Sequence, residues 1–209
     1  MNFSLLENQN IEKIEAALLK NGQLQIYPAE FYERFTFNEL KVFCFIYGIY
    51  QIPTLELIEF LKKEIVGTAI EIGSGNGVLG RWLGIPATDS RMQEFPDVKP
   101  VYDLMKQPTV QYGDNIIKLE ALEAVNQFNP DTVIGSWITQ YDPTSKIGNP
   151  YGVRENEILK KVDKYIMIGN VNTHYNKDIM FKPHRKLFFP WLISRAANQR
   201  LNVIYIWEK

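Results

Sequence analysis

The chain has 209 residues, 45% hydrophobic and 22% charged, with a formal net charge of −1. That is enough chain for one buried core, and too little charge for a global pull toward nucleic acid or an anionic membrane. No apolar run is long enough to span a bilayer. The opening MNFSLLENQN lacks the basic start and apolar stretch of a secretory signal. The one cysteine, Cys44, excludes an internal disulfide and lies in apolar KVFCFIYG, as a buried thiol does. A reducing, cytoplasmic setting is expected. One cysteine and two histidines cannot build a common zinc site.

Residues 1–66 read as an N-terminal helical arm, or lid. IEKIEAALLK, residues 11–20, carries apolar residues on one helical face, with Asn10 as N-cap and Gly22 as its stop. FNELKVFCFIYG, residues 37–48, is a second helix. TLELIEFLKKEI, residues 54–65, is a third, with Thr54 as N-cap and Lys62 and Lys63 in its last turns. No strand is needed before residue 68.

From residue 67 to 209 the pattern alternates. TAIEI is a buried strand and GVLGRWLG a short helix. PATDS ends a second strand at Asp89, and the proline-broken stretch 90–108 is irregular or a broken helix. VQYGD reads as a third strand and NIIKLEALEAVNQF as an amphipathic helix. DTVIGSW is a fourth strand, RENEILKKV a helix and KYIMIGN a fifth strand. Residues 187–199 are expected to be helical after Pro190, and LNVIYIW closes the chain as a strand. Strands alternating with helices imply an α/β fold with a doubly wound, mostly parallel sheet of six to seven strands, flanked by helices.

The stretch AIEIGSGNGVLG, residues 69–80, poses the functional question. Glycines after a strand let a ligand approach the backbone, and the following helix offers free N–H groups. Two ligand classes fit. GNGVLG, residues 75–80, matches the dinucleotide pattern, although the strand would then run through Gly73. The alternating Glu71-x-Gly73-x-Gly75-x-Gly77 instead suits a cation, because a carboxylate at the loop repels a pyrophosphate.

In this second register the segment resembles the first motif of the class I, Rossmann-like S-adenosylmethionine-dependent methyltransferases. The likeness continues in order over residues 68–170, through Asp89 at the end of the second strand, the Gly113–Asp114 pair, DTVIGSW and ENEILKKVDKYIMIG. It implies that Glu71, Gly73, Ser74, Gly75, Asn76, Gly77, Asp89, Asp114 and Ser136 bind S-adenosylmethionine, with Asp89 on the ribose and Asp114 near the adenine. It implies transfer of a methyl group to an oxygen or nitrogen nucleophile. Two departures stand out. The sequence ends after what reads as a sixth strand, so the antiparallel seventh is missing or hidden within residues 175–194. The fourth strand ends in GSW and not in an Asn-Pro-Pro-Tyr type of motif, which weighs against a base or glutamine acceptor.

Substrate is expected at the carboxyl ends of the strands, where residues 138–152 and 170–175 are polar and aromatic. Tyr141, Asn149, Tyr151 and Asn170 are the candidate substrate contacts, and His174 the candidate general base. Among the arm aromatics Phe31, Tyr32, Phe35, Phe43, Phe45, Tyr47 and Tyr50, most are expected in the core and some over the cofactor. KPHRK, residues 182–186, reads as a solvated basic face. The near-neutral charge points to a small-molecule methyl acceptor, with no nucleic acid and no membrane as partner. A nicotinamide-dependent oxidoreductase and a noncatalytic protein retaining the fold are the rival readings.

Overall fold

The computed structural model describes residues 11–146 and 148–209. A seven-stranded sheet runs through it: β1 (Ala69–Ile72), β2 (Ala87–Asp89), β3 (Ile116–Lys118), β4 (Thr132–Ser136), β5 (Lys164–Asn170), β6 (Arg185–Leu187) and β7 (Asn202–Glu208). The order across the sheet is β3-β2-β1-β4-β5-β7-β6. Strands β1 to β5 pair in parallel, and β7 is antiparallel to both β5 and β6. The chain steps outward from β1 to β3, then returns to the other side of β1 as β4. That reversal opens a crevice at the carboxyl ends of β1 and β4.

Away from the edge strands β3 and β6 both sheet faces are buried, so β1, β4, β5 and β7 read as near-continuous apolar runs. Alternate residues of β5 divide between two cores. Ile166 and Ile168 join Ile134, Ile204 and Ile206 against arm residues such as Ile14, Leu18, Leu57 and Leu61. Tyr165 and Met167 join Val133 and Val203 against Ala124, Val125 and Ile158 of the opposite helices. Burying each aliphatic side chain is worth about 1.5–3 kcal/mol. Cys44 is fully buried among the arm residues, and burial pushes its thiol up to about 12.

The arm helices run Glu12–Leu18, Phe37–Ile46 and Leu55–Glu64. Thr36 and Glu39 form a reciprocal capping box at the second. Thr54 accepts the Leu57 N–H at 3.2 Å at the third, with Lys62 and Lys63 in its last turn as expected. Asn10, the expected cap of the first, lies outside the described residues. Gly22 does not stop that helix. Asn21 (φ 51°) and Gly22 (φ 75°) make the two-residue turn between Leu19–Lys20 and Gln23–Leu24, as Asn-Gly does in hairpins. Strands therefore do occur before residue 68, and a third one, Gln51–Ile52, pairs antiparallel with Ile193–Ser194.

Three further expectations are corrected. The third strand is not VQYGD. Val110 is held by Gln93, whose Oε1 accepts its N–H at 2.7 Å, and Gly113 lies so close to Asn76 that a Cβ would stand 2.5 Å from the Asn76 carbonyl oxygen. The strand falls on Ile116–Lys118, and the helix begins at Ala121, capped by the Glu120 carboxylate. Residues 187–199 form no α-helix, because side-chain amides hold them otherwise: Gln199 Nε2 donates to the Ser194 and Ala196 carbonyls, and Asn202 Nδ2 to that of Leu192. Lastly, the sheet is complete. The closing strand is the antiparallel one, and β6 is the strand hidden upstream. Among the described residues no helix is long and apolar enough to cross a membrane.

Candidate functional site

Strand β1 ends at Ile72, so Gly73 opens the loop and the helix Val78–Leu83 follows Gly77. Gly73, Gly75 and Gly77 have φ of 54°, 55° and 67°, a region that side chains strain to enter. Two of them are also closely approached: a Cβ would stand 2.5 Å from Ile138 Cδ1 at Gly73 and 2.3 Å from Ile116 Cδ1 at Gly77, so those side chains would have to shift. The loop is pinned to β2, since the Ser74 N–H donates to the Thr88 carbonyl at 3.0 Å.

Two carboxylates hold the loop from below. Glu71 is buried, and its Oε2 accepts the Gly80 N–H at 2.8 Å. Burial pushes its carboxyl up to about 8; the Gly80 bond opposes this and the nearby Asp89 adds to it. Asp89 ends β2. Its Oδ2 accepts the Gly75 N–H at 2.9 Å and its Oδ1 the Arg91 N–H at 2.7 Å, and burial raises its pKa too. Ser74 Oγ is buried with no hydrogen-bond partner among the described residues.

These groups open into one cavity. Glu71, Gly73, Ser74, Gly75, Asn76, Asp89, Ser136 and Tyr151 line it, with Tyr50 from the arm aromatics, and so do residues the sequence reading left out: Gln51, Gln93, Tyr102, Tyr112 and Trp137. Gly77 stands at the helix start outside that lining. Asp114 lies in a separate groove with Gln111, Arg81 and the Leu19–Leu24 hairpin, because the Gly113–Asp114 pair precedes β3 instead of following it. A second cavity, at the carboxyl end of β3, is lined by Ser90, Phe95, Leu119, Glu120, Tyr141 and Arg154. Tyr151 and Gly152 line both.

Trp137 is the unusual residue. Its φ of 57° puts a bulky aromatic in the left-handed region, a genuine outlier for such a side chain. Its N–H donates to the Ile168 carbonyl at 2.8 Å, and its indole N–H to Gln51 Oε1 at 3.4 Å. Tyr50 packs on the ring at 5.9 Å and His174 edge-on at 5.3 Å.

Other candidate residues take different places. His174 is 4% exposed and does not line either cavity; its Nδ1 accepts the Asn170 N–H at 3.0 Å. Burial, with Lys177 nearby, lowers its pKa to about 4. It supports Trp137 and is no general base facing the cavity. Asn170 is 2% exposed, and its amide donates to Asn198 and Asn202, both at 2.9 Å. It is a hub of the buried amide network. Tyr141 lies under the Arg154 guanidinium at 3.9 Å. Asn149 Oδ1 accepts the Tyr151 N–H at 2.9 Å. The Tyr151 hydroxyl donates to Asp97, which ties the loop after β4 to the segment after β2.

The antiparallel closing strand, the reversal at β1 and the acid–glycine register after it now stand together. The fold is that of the class I S-adenosylmethionine-dependent methyltransferases. The dinucleotide register fails here, since the strand stops before Gly73. No protein-family model matches the chain, and no curated protein matches it. Among solved structures it is similar to an rRNA methylase from Streptococcus thermophilus, at 12% identity over 73% of this chain and 93% of that one, TM-score 0.38. It is similar to precorrin 8w decarboxylase from Methanobacterium thermoautotrophicum, at 14% identity over 75% and 91%, TM-score 0.39. It is also similar to the E. cuniculi Mtq2–Trm112 complex responsible for methylation of the eRF1 translation termination factor, at 15% identity over 72% and 90%, TM-score 0.38. At such identities and TM-scores the likeness assigns this chain no activity and no acceptor. It does overturn one expectation: an rRNA methylase and a protein-methylating complex stand among the neighbours, so a small-molecule acceptor with nucleic acid excluded does not follow. That expectation rested on net charge, a whole-chain sum blind to the local surface an acceptor meets.

Proposed function

We propose that the protein is an S-adenosylmethionine-dependent methyltransferase. The observation that carries this reading is the acidic cradle: Glu71 and Asp89 beneath a glycine loop, with the unpartnered Ser74 hydroxyl beside them. Two carboxylates suit a ligand with an ammonium and a sulfonium and disfavour a pyrophosphate. In this reading Glu71 and Ser74 hold the amino-acid end, Asp89 accepts the ribose hydroxyls, and Phe95, Leu119 and Tyr141 of the second cavity take the adenine. When bound, S-adenosylmethionine supplies an already activated methyl group.

The chain's own contribution is then alignment and exclusion of water, the first worth up to about 7–11 kcal/mol in well-oriented systems. The lining also bears on the acceptor atom. Among the described residues lining the main cavity there is no lysine, arginine or histidine. Burial raises the Tyr102 and Tyr112 phenols, and both carboxylates are bonded to backbone N–H groups. No group there is suited to deprotonate an alcohol at neutral pH. A nitrogen that is neutral before transfer fits, with Tyr50 and Trp137 offering aromatic faces. Beside this mouth the helix Lys99–Leu104, which turns Tyr102 inward, exposes Val101, Leu104 and Met105, an apolar rim suited to a large acceptor.

Calorimetric titration with S-adenosylmethionine and with NAD tests the cofactor. Binding of the first, weakened by roughly a hundredfold in D89A, is expected. Saturable NAD binding, or binding of neither, overturns the reading. Tritiated methyl transfer into separated RNA and protein fractions then tests the acceptor, with an N-methyl product expected and an O-methyl product counting against the nitrogen.

A further inference from the structure

The loop after β4 is wired to a buried ion pair that the reaction chemistry does not use. Glu155 opens the helix Glu155–Lys161 and is 2% exposed. Its Oε2 lies 2.5 Å from Lys177 Nζ, itself 3% exposed, and its Oε1 accepts the Tyr165 hydroxyl at 2.8 Å. Lys177 Nζ also donates to the Ile138 carbonyl at 2.9 Å. Ile138 follows Trp137 directly, and its side chain fills the space against Gly73 and Gly135. One buried ammonium therefore bonds the backbone beside the left-handed Trp137, while the same residue's side chain packs on the first glycine of the loop.

A buried ion pair contributes little stability over apolar residues of the same shape. What this pair does supply is a fixed donor at the Ile138 carbonyl, on a stretch where the chain holds an aromatic at φ 57°. Glu155 and Lys177 also join the two ends of the 138–154 loop, since Ile138 begins it and Glu155 follows it.

We propose that Glu155 and Lys177 are positioning residues for methyl transfer: the pair fixes the Ile138 carbonyl, and so holds Trp137 at the acceptor face and Ile138 against the cofactor loop. This rests on the methyltransferase reading, and the test separates the two. Protein carrying 5-fluorotryptophan gives a fluorine resonance for Trp137, assigned by W137F. The double variant E155L/K177M replaces the pair with apolar side chains of similar size. It is expected to unfold cooperatively like wild type, to shift or broaden the Trp137 resonance while leaving Trp82 and Trp191 unmoved, and to bind S-adenosylmethionine roughly tenfold more weakly. K177R, which keeps the charge and a donor, restores the resonance. Should the double variant not fold, E155Q, of nearly unchanged volume, is read the same way. A Trp137 resonance unchanged in a folded variant overturns the positioning role. Absence of S-adenosylmethionine binding in wild type overturns the functional reading instead, and leaves the resonance test standing.

Discussion

Two loops leave neighbouring strands at the same end of the sheet, and they are held in different ways. Residues 73–77 after β1 are shaped by three glycines at positive φ, with amides bonded to the Thr88 and Ser74 carbonyls and to the Asp89 carboxylate close by. Residues 137–154 after β4 bond across their own backbone, Tyr141 to Val153 and Asp142 to Asn149, and are tied to the rest of the fold by side chains from elsewhere: Lys177 on the Ile138 carbonyl, Asp97 on the Tyr151 hydroxyl, Met92 Sδ 3.7 Å from the Asn149 amide. A surface that a ligand must touch closely is specified by removing side chains. A surface that must present one aromatic ring is specified by bracing it from behind.

The largest expected effect lies in the braced loop. K177A leaves Glu155 buried with its charge partner gone and the Ile138 carbonyl without its donor, at a cost of about 3–5 kcal/mol in urea denaturation. A cost under about 1 kcal/mol would mean that the loop is held by its backbone after all. The glycine loop is broken differently. G77A combines left-handed strain with a Cβ 2.3 Å from Ile116 Cδ1, and about 2–3 kcal/mol is expected. Gly84 sharpens the point: its φ is 70°, but nothing lies within 4 Å of a Cβ there. G84A should lose only about 1 kcal/mol, the strain alone.

Glu71 links the glycine loop to pH. Its native pKa of about 8 stands above the ordinary 4.5, so the folded chain keeps a proton that the unfolded chain releases. Its contribution to stability is fully present below about pH 4.5 and is lost as pH rises to about 8. A cationic cofactor prefers the ionised form, so affinity should rise over the same window, with close to one proton expelled per cofactor bound at pH 7. Calorimetry in buffers of different ionisation enthalpy counts that proton. E71Q should abolish the release and flatten the stability profile; release that persists in E71Q would assign it to another group.

The same division decides what could be read from the sequence. The places of Glu71, Gly73, Gly75 and Asp89 beside one cavity were legible because each sits at the end of a strand or in the turn that follows it. Strands β1, β4, β5 and β7 were legible because burial on both faces leaves apolar runs. VQYGD misled because it has a strand's alternation, yet Gln93 holds Val110 and Gly113 packs on Asn76. Trp137 was visible in GSW, but nothing local announces a left-handed backbone under a tryptophan. His174 and Asn170 looked like site residues because they are polar and lie at and after the end of a strand; Asn198 and Asn202 absorb the Asn170 amide, and the Asn170 N–H absorbs the His174 ring. Tyr50 reaches the cavity through a strand pairing with Ile193–Ser194, a contact the chain makes only once it has folded.

The smallest effect is expected where the two loops' surroundings meet. Tyr151 lines both cavities, packs edge-on against Phe95 at 5.2 Å, and its hydroxyl bonds Asp97. The hydrogen bond raises its phenol. The ring is well exposed, so water replaces the bond readily and Y151F should leave the melting temperature unchanged. Its position between the cavities, where the proposed nucleoside and amino-acid ends of the cofactor would join, gives the bond a kinetic role. Losing the tie should let the loop after β4 part from the segment after β2, and S-adenosylmethionine should dissociate about two- to fivefold faster in stopped-flow displacement. An unchanged dissociation rate would mean that the braced loop stays in place without this tie, and that bracing from Lys177 alone sets its position.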